Sequence, residues 1–195
     1  MKRNLAAFSF LLLIAATAQA AGKKDHTWTK EPDSFMGISF SSNIVNDLPP
    51  CAPGVFGFDQ KMMCYEKPLL PNYFSIEGHP DIGLAYHYKL NAKVKDGQVE
   101  YFSLSTNTVE FEKLVQIFTT KYGSPTSRSS EPVQTKGGVS LVNEQLTWSG
   151  KSKSIILEKY SGDINTTAAM ISDVSKQQKS ANEIKQKLNN GASKL

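Results

Sequence analysis

Between Leu84 and Val94 the chain alternates: Leu84, Tyr86, Tyr88, Leu90, Ala92 and Val94 are apolar or aromatic, with Ala85, His87, Lys89, Asn91 and Lys93 between them. Successive strand residues point to opposite faces, so this period of two predicts a strand with one buried and one wetter face. Asp96-Gly97 turns the chain into a second run that ends near Thr106. Register must keep the apolar sets of both runs on one face. A two-residue turn would set Phe102 opposite Asn91 and Leu104 opposite Lys89. A three-residue loop Lys95-Asp96-Gly97 with a bulge at Gly97 pairs Leu90 with Phe102 and Tyr88 with Leu104, and is the expected geometry.

The next segment has the period of a helix. Phe111, Leu114, Val115, Phe118 and Tyr122 share one face, Asn107 or Thr108 can cap its start, and Gly123 followed by Pro125 ends it. Glu110 and Glu112 in the first turn and Lys121 in the last complement the helix dipole. A helix of about Val109 to Tyr122 is predicted, packed by its aromatic stripe onto the hairpin.

Elsewhere the signals are shorter. Residues 21–33 are polar and expected to be flexible. Phe35 to Phe40 suits a first strand, and the Pro- and Gly-rich stretch to about Pro71 reads as a long connection. Ser124 to Gly138 has loop composition, Val139 to Trp148 and Ser154 to Tyr160 read as strands, and Thr166 to Ser172 suits a last one. Residues 173–195 form a polar, Lys-rich helix or tail in which Val174, Ala181, Ile184 and Leu188 make a thin apolar stripe. Such a helix is marginal without a partner.

The first residues carry an address. Lys2-Arg3, the apolar run from Leu5 to Ala16 and Ala18-Gln19-Ala20 have the pattern of a secretory signal peptide cleaved before Ala21. The uninterrupted apolar core from Phe10 to Ala16 is far shorter than the roughly 20 residues of a membrane-spanning helix. The expectation is a periplasmic or secreted protein with no transmembrane segment after cleavage. The net charge of +4 over 195 residues draws on the leader and the Lys-rich tail, leaving the body nearly balanced. That excludes the electrostatic footprint of a nucleic-acid binder. Cys51 and Cys64 are the only cysteines, and in an oxidising compartment a lone pair is expected to form a disulfide. Twelve intervening residues are unlike a redox-active C-x-x-C, so the bond is read as structural.

Few motifs carry chemistry. Gly150-Lys151-Ser152 resembles the end of a phosphate-binding loop, but the upstream glycine that loop requires is replaced by Gln145, and the segment joins two predicted strands. His79, Asp81 and His87 are the one cluster with metal-ligand chemistry. Gly78, Pro80 and Gly83 place it on a turn, and His87 alternates onto the wetter face. These are read as ordinary surface residues, with no catalytic, metal or cofactor site expected. Phe56, Phe58, Tyr65, Tyr73 and Phe74 crowd the region braced by the cysteines. They form a candidate recognition surface, or else fold the long connection onto the sheet.

The run from Asp96-Gly97 through Lys121-Tyr122-Gly123-Ser124-Pro125 to Trp148-Ser149-Gly150 resembles small exported bacterial proteins of unknown function. Those pair a hairpin with a helix ending in KYG-x-P and a Trp-bearing strand. The resemblance implies an exported α+β protein and carries no activity.

The expected fold is therefore α+β: an antiparallel sheet on one main helix over residues 34–172, with a loosely attached C-terminal helix. The expected function is an exported, non-catalytic binding or accessory module whose partner is another exported or envelope protein. The alternatives are a small hydrolase whose site assembles only in three dimensions and an inhibitor or immunity protein that binds one enzyme.

Overall fold

The computed structural model describes residues 28–54, 60–67, 70–135 and 137–194. The expected leader, His26, Phe56 and Phe58 lie outside the described residues.

Eight antiparallel strands form the main sheet. In chain order they are β3 (Cys64–Tyr65), β4 (Tyr73–Glu77), β5 (Lys89–Lys95), β6 (Gln98–Asn107), β7 (Ser127–Gln134), β8 (Ser140–Ser149), β9 (Lys153–Glu158) and β10 (Thr166–Asp173), preceded by the short hairpin β1 (Ser34–Phe35) and β2 (Ile38–Ser39). The spatial order is β3-β4-β5-β6-β10-β9-β8-β7. A one-turn helix α1 (Ile44–Asp47) follows β2, helix α2 (Phe111–Tyr122) separates β6 from β7, and helix α3 (Val174–Ala192) closes the described chain.

The hairpin is in phase by a route other than the expected one. Asp96 and Gly97 have φ of 51° and 78°, a two-residue turn of the kind that matches strand twist, and Lys95 pairs with Gln98. A bulge then shifts the register between Lys93 and Val94, so that Val94 pairs with Val99 but Lys93 with Tyr101, Ala92 with Phe102 and Leu90 with Leu104. The extra residue restores the apolar faces. The predicted pairing of Leu90 with Phe102 is thereby corrected.

Helix α2 lies where its stripe places it. Asn107 accepts a hydrogen bond from the Val109 amide at 3.0 Å, a single 3-10 turn follows, and Phe111, Leu114, Phe118 and Tyr122 are buried. Leu90, Phe102, Leu104, Trp148, Ile155, Leu157, Ala169 and Ile171 from the sheet complete the core. The helix end is capped from elsewhere in the chain. The Trp28 indole donates to the Tyr122 carbonyl at 2.8 Å and the Trp148 indole to the Gly123 carbonyl at 2.7 Å. These are two of the carbonyls that a helix C-terminus leaves without a partner.

Three differences from the sequence reading have physical causes. Trp28 is buried and Glu31 is anchored by four hydrogen bonds to Lys151, Ser152 and Lys153, so the later part of the segment expected to be flexible is held. The amides of the Gly150-Lys151-Ser152 turn bind a carboxylate of the same chain. Residues 127–134, expected to be loop, form edge strand β7 by pairing with β8. Its residues are almost all exposed, so no apolar alternation marks it. Residues 84–88 leave the predicted strand, which begins only at Lys89.

Helix α3 is attached as loosely as expected. It buries no residue, and Ile184 and Leu188 are exposed. Polar ties hold it: Lys176 donates to the Phe40 and Val99 carbonyls at 2.8 and 3.0 Å, and Lys95 pairs with Glu183 at 2.7 Å. The Cys51–Cys64 disulfide is formed and pins the connection to edge strand β3. A loop of this length contributes about 3 kcal/mol in the chain-entropy account. Among the described residues no helix is long and apolar enough to cross a membrane.

Candidate functional site

Strand β4 ends at Glu77, where the chain reverses at Gly78 with φ of 66°. A Cβ on Gly78 would lie 2.2 Å from the Met62 carbonyl oxygen, so backbone conformation and close approach both demand glycine. The reversal lays the His79 ring on Tyr88, with centroids 4.0 Å apart, and brings it 5.4 Å from the His87 ring. Glu77 alternates with buried Ile76 and so projects from the face away from α2. Ser75 Oγ donates to Glu77 Oε1 at 2.9 Å and orients the carboxylate. Ligand-type atoms of Glu77, His79 and His87 all lie within 4.8 Å of one another.

The opposite wall, residues 80–88, is irregular because side chains claim its backbone. Glu110 is 4% exposed, and its Oε1 accepts from the amides of Ala85 and Tyr86 at 2.7 and 3.0 Å. Thr106 Oγ1 donates to the His87 carbonyl at 3.1 Å, and Lys113 donates to the Gly83 carbonyl. These bonds take the place of strand pairing, which is why the alternating pattern fails here. Tyr86, on the buried face of the predicted strand, is 52% exposed. Between the walls lies a cleft of about 300 Å³ lined by Gly78, His79, Asp81, Tyr86, His87 and Tyr88.

The electrostatics of the cleft act on His79 and Tyr88. Partial burial, and then the neighbouring His87, hold the His79 imidazole below its ordinary value, with Glu77 opposing. Burial, and then the Asp81 charge, push the Tyr88 hydroxyl up to about 12. At neutral pH His79 therefore presents a lone pair, and Tyr88 keeps its proton and donates to the Pro80 carbonyl. Neutral imidazole is the form that ligates a cation.

Of the sequence candidates, His79 and His87 are brought together. Asp81 is not part of that trio, and its Oδ1 accepts from the Gly83 amide at 2.7 Å. Glu77, which the sequence reading did not single out, is the carboxylate beside the two rings, its sole signal in sequence being the Glu77-Gly78-His79 spacing. Glu110, read as a helix-dipole residue, positions the cleft wall. Of the aromatic candidates, Tyr65, Tyr73 and Phe74 fall within the described residues. Phe74 is a core residue, Tyr65 packs edge-on against it at 5.7 Å, and Tyr73 on the outer face bonds Ser103 at 3.2 Å. No family model, curated protein or solved structure matches the chain.

Proposed function

We propose that the protein is an exported, non-catalytic binding module of the periplasm or the extracellular medium, with the His79–His87 cleft as its ligand site. The observation that carries this reading is the convergence of two imidazoles, one carboxylate and an exposed tyrosine on walls fixed by Gly78 and Glu110. Convergent polar groups in a preformed concavity are the usual mark of a binding site. The leader pattern and the disulfide support export, and the resemblance to small exported bacterial proteins is part of the same proposal.

The hydrolase alternative draws on the same trio, since two histidines and a glutamate are ligands of some catalytic zinc sites. Tyr86 and His87 are exposed, however, and an open cleft screens the charges that catalysis needs to stabilise. That favours binding. Native mass spectrometry of the protein recovered from its compartment tests the reading. The expected result is a polypeptide beginning at Ala21 that carries a non-covalent adduct, which is lost in Tyr86→Ala and His87→Ala. A full-length, uncleaved mass would overturn export. An adduct indifferent to both substitutions would overturn the site.

A further inference from the structure

We infer that Glu77, His79 and His87 hold a single divalent cation of borderline softness, of the zinc class. The inference rests on the reading of this cleft as the ligand site and names the ligand.

The donor set selects the cation. Two imidazole nitrogens and one carboxylate suit zinc, copper or nickel, whereas calcium and magnesium take shells made of oxygen. Three protein ligands leave a fourth tetrahedral position for water or for an atom of a partner molecule. Tyr86, which lines the same cleft and is exposed, is available to contact such a partner molecule.

The distances fit a site that tightens on binding. Zinc bonded to nitrogen and oxygen at about 2.0–2.1 Å holds its tetrahedral ligands about 3.3 Å apart. The three ligand atoms lie within 4.8 Å of one another, so closure needs a movement on the order of 1.5 Å. The His87 side chain is exposed, so the movement falls on that side chain while the wall's backbone stays held by Glu110 and Thr106. The other two ligands are braced. The His79 ring is stacked on Tyr88 at 4.0 Å, and Glu77 Oε1 is held by Ser75 at 2.9 Å, leaving Oε2 for the cation. Hydrogen bonds that orient ligands in this way are a regular part of metal sites.

Isothermal titration of the cleaved, disulfide-bonded protein with ZnCl2 tests the inference, with the imidazole NMR signals followed in parallel. One zinc per chain is expected, with the His79 and His87 signals shifting together. Affinity should fall at least tenfold in His87→Ala and in Glu77→Gln and stay unchanged in Glu131→Gln, an exposed carboxylate on the distant edge strand β7. Thermal unfolding of the metal-free variants separates lost ligation from lost fold. No zinc binding, or binding indifferent to His87→Ala and Glu77→Gln but abolished by His26→Ala, would overturn the inference. An adduct that still depends on Tyr86 and His87 while zinc fails to bind would leave the cleft as the binding site and remove only the cation.

Discussion

The Glu31 carboxylate accepts the Ser152 hydroxyl at 2.6 Å and the Ser152 amide at 2.8 Å, tying the N-terminal segment to the β8–β9 turn. The Lys151 and Lys153 amides complete the nest at 2.7 and 2.9 Å. Gly150 is the residue that permits it, because a Cβ there would lie 2.3 Å from Glu31 Cδ.

This nest makes stability depend on pH. Partial burial pushes the Glu31 carboxyl up, but the Ser152 hydroxyl and the three amides outweigh it and lower it from 4.5 to about 2. A carboxyl with a depressed folded-state value contributes stability that is present above its unfolded value. That contribution is lost as pH falls from about 4.5 through about 2. Glu31→Gln is expected to lower stability at pH 7 by about 1–2 kcal/mol, after allowance for solvent screening. It should also flatten the acid limb of the profile. Urea midpoints at pH 7, 4 and 2 check both, and parallel profiles for the two proteins would refute the assignment.

The indole of Trp148 is more than a core filler. Trp148→Phe keeps most of the ring but removes the donor to the Gly123 carbonyl, leaving a helix-end acceptor without its partner. A loss of about 1–3 kcal/mol is expected. Urea denaturation measures it, and a change below about 0.5 kcal/mol, the range of ordinary surface substitutions, would mean that water replaces the indole.

The stripe of α2 predicts a contrast between two positions. Phe118 is buried against Phe35 and Trp148, so Phe118→Ala should cost about 3–5 kcal/mol. Glu112 is exposed, and Glu112→Ala should fall within about 0.5 kcal/mol. Denaturant midpoints give the comparison. Equal small shifts would contradict the helix-on-sheet core.

Glu110 is expected to act through the cleft wall. Glu110→Ala leaves the Ala85 and Tyr86 amides without their acceptor, and each hydrogen bond lost costs about 1 kcal/mol. Hydrogen exchange at those two amides should accelerate, and zinc affinity should drop although Glu110 is no ligand. Faster exchange with unchanged affinity would show that the wall does not position His87.

What the sequence alone determined is local. The apolar faces of the β5–β6 hairpin, the span of α2, its Asn107 cap and Gly123 terminator, and the Cys51–Cys64 pairing follow from periods of 2 and 3.6, stop signals and a lone cysteine pair. In this chain the KYG-x-P terminator and the Trp-bearing strand meet through the Trp148 bond to Gly123. Tertiary structure decided whatever depends on backbone groups meeting distant side chains. Strand β7 exists because β8 offers it hydrogen bonds, and a polar edge strand carries no side-chain period. The two-residue turn kept its phase through a bulge that composition does not announce. Trp28 and Glu31 are held by carbonyls and amides some 90 to 120 positions away, a separation at which no local pattern survives. The cleft arises where the alternation from Leu84 to Tyr88 yields to Glu110. A buried carboxylate satisfied by two amides outweighs a strand preference on one wall, and the reversal at Gly78 brings His79 to His87 from the other.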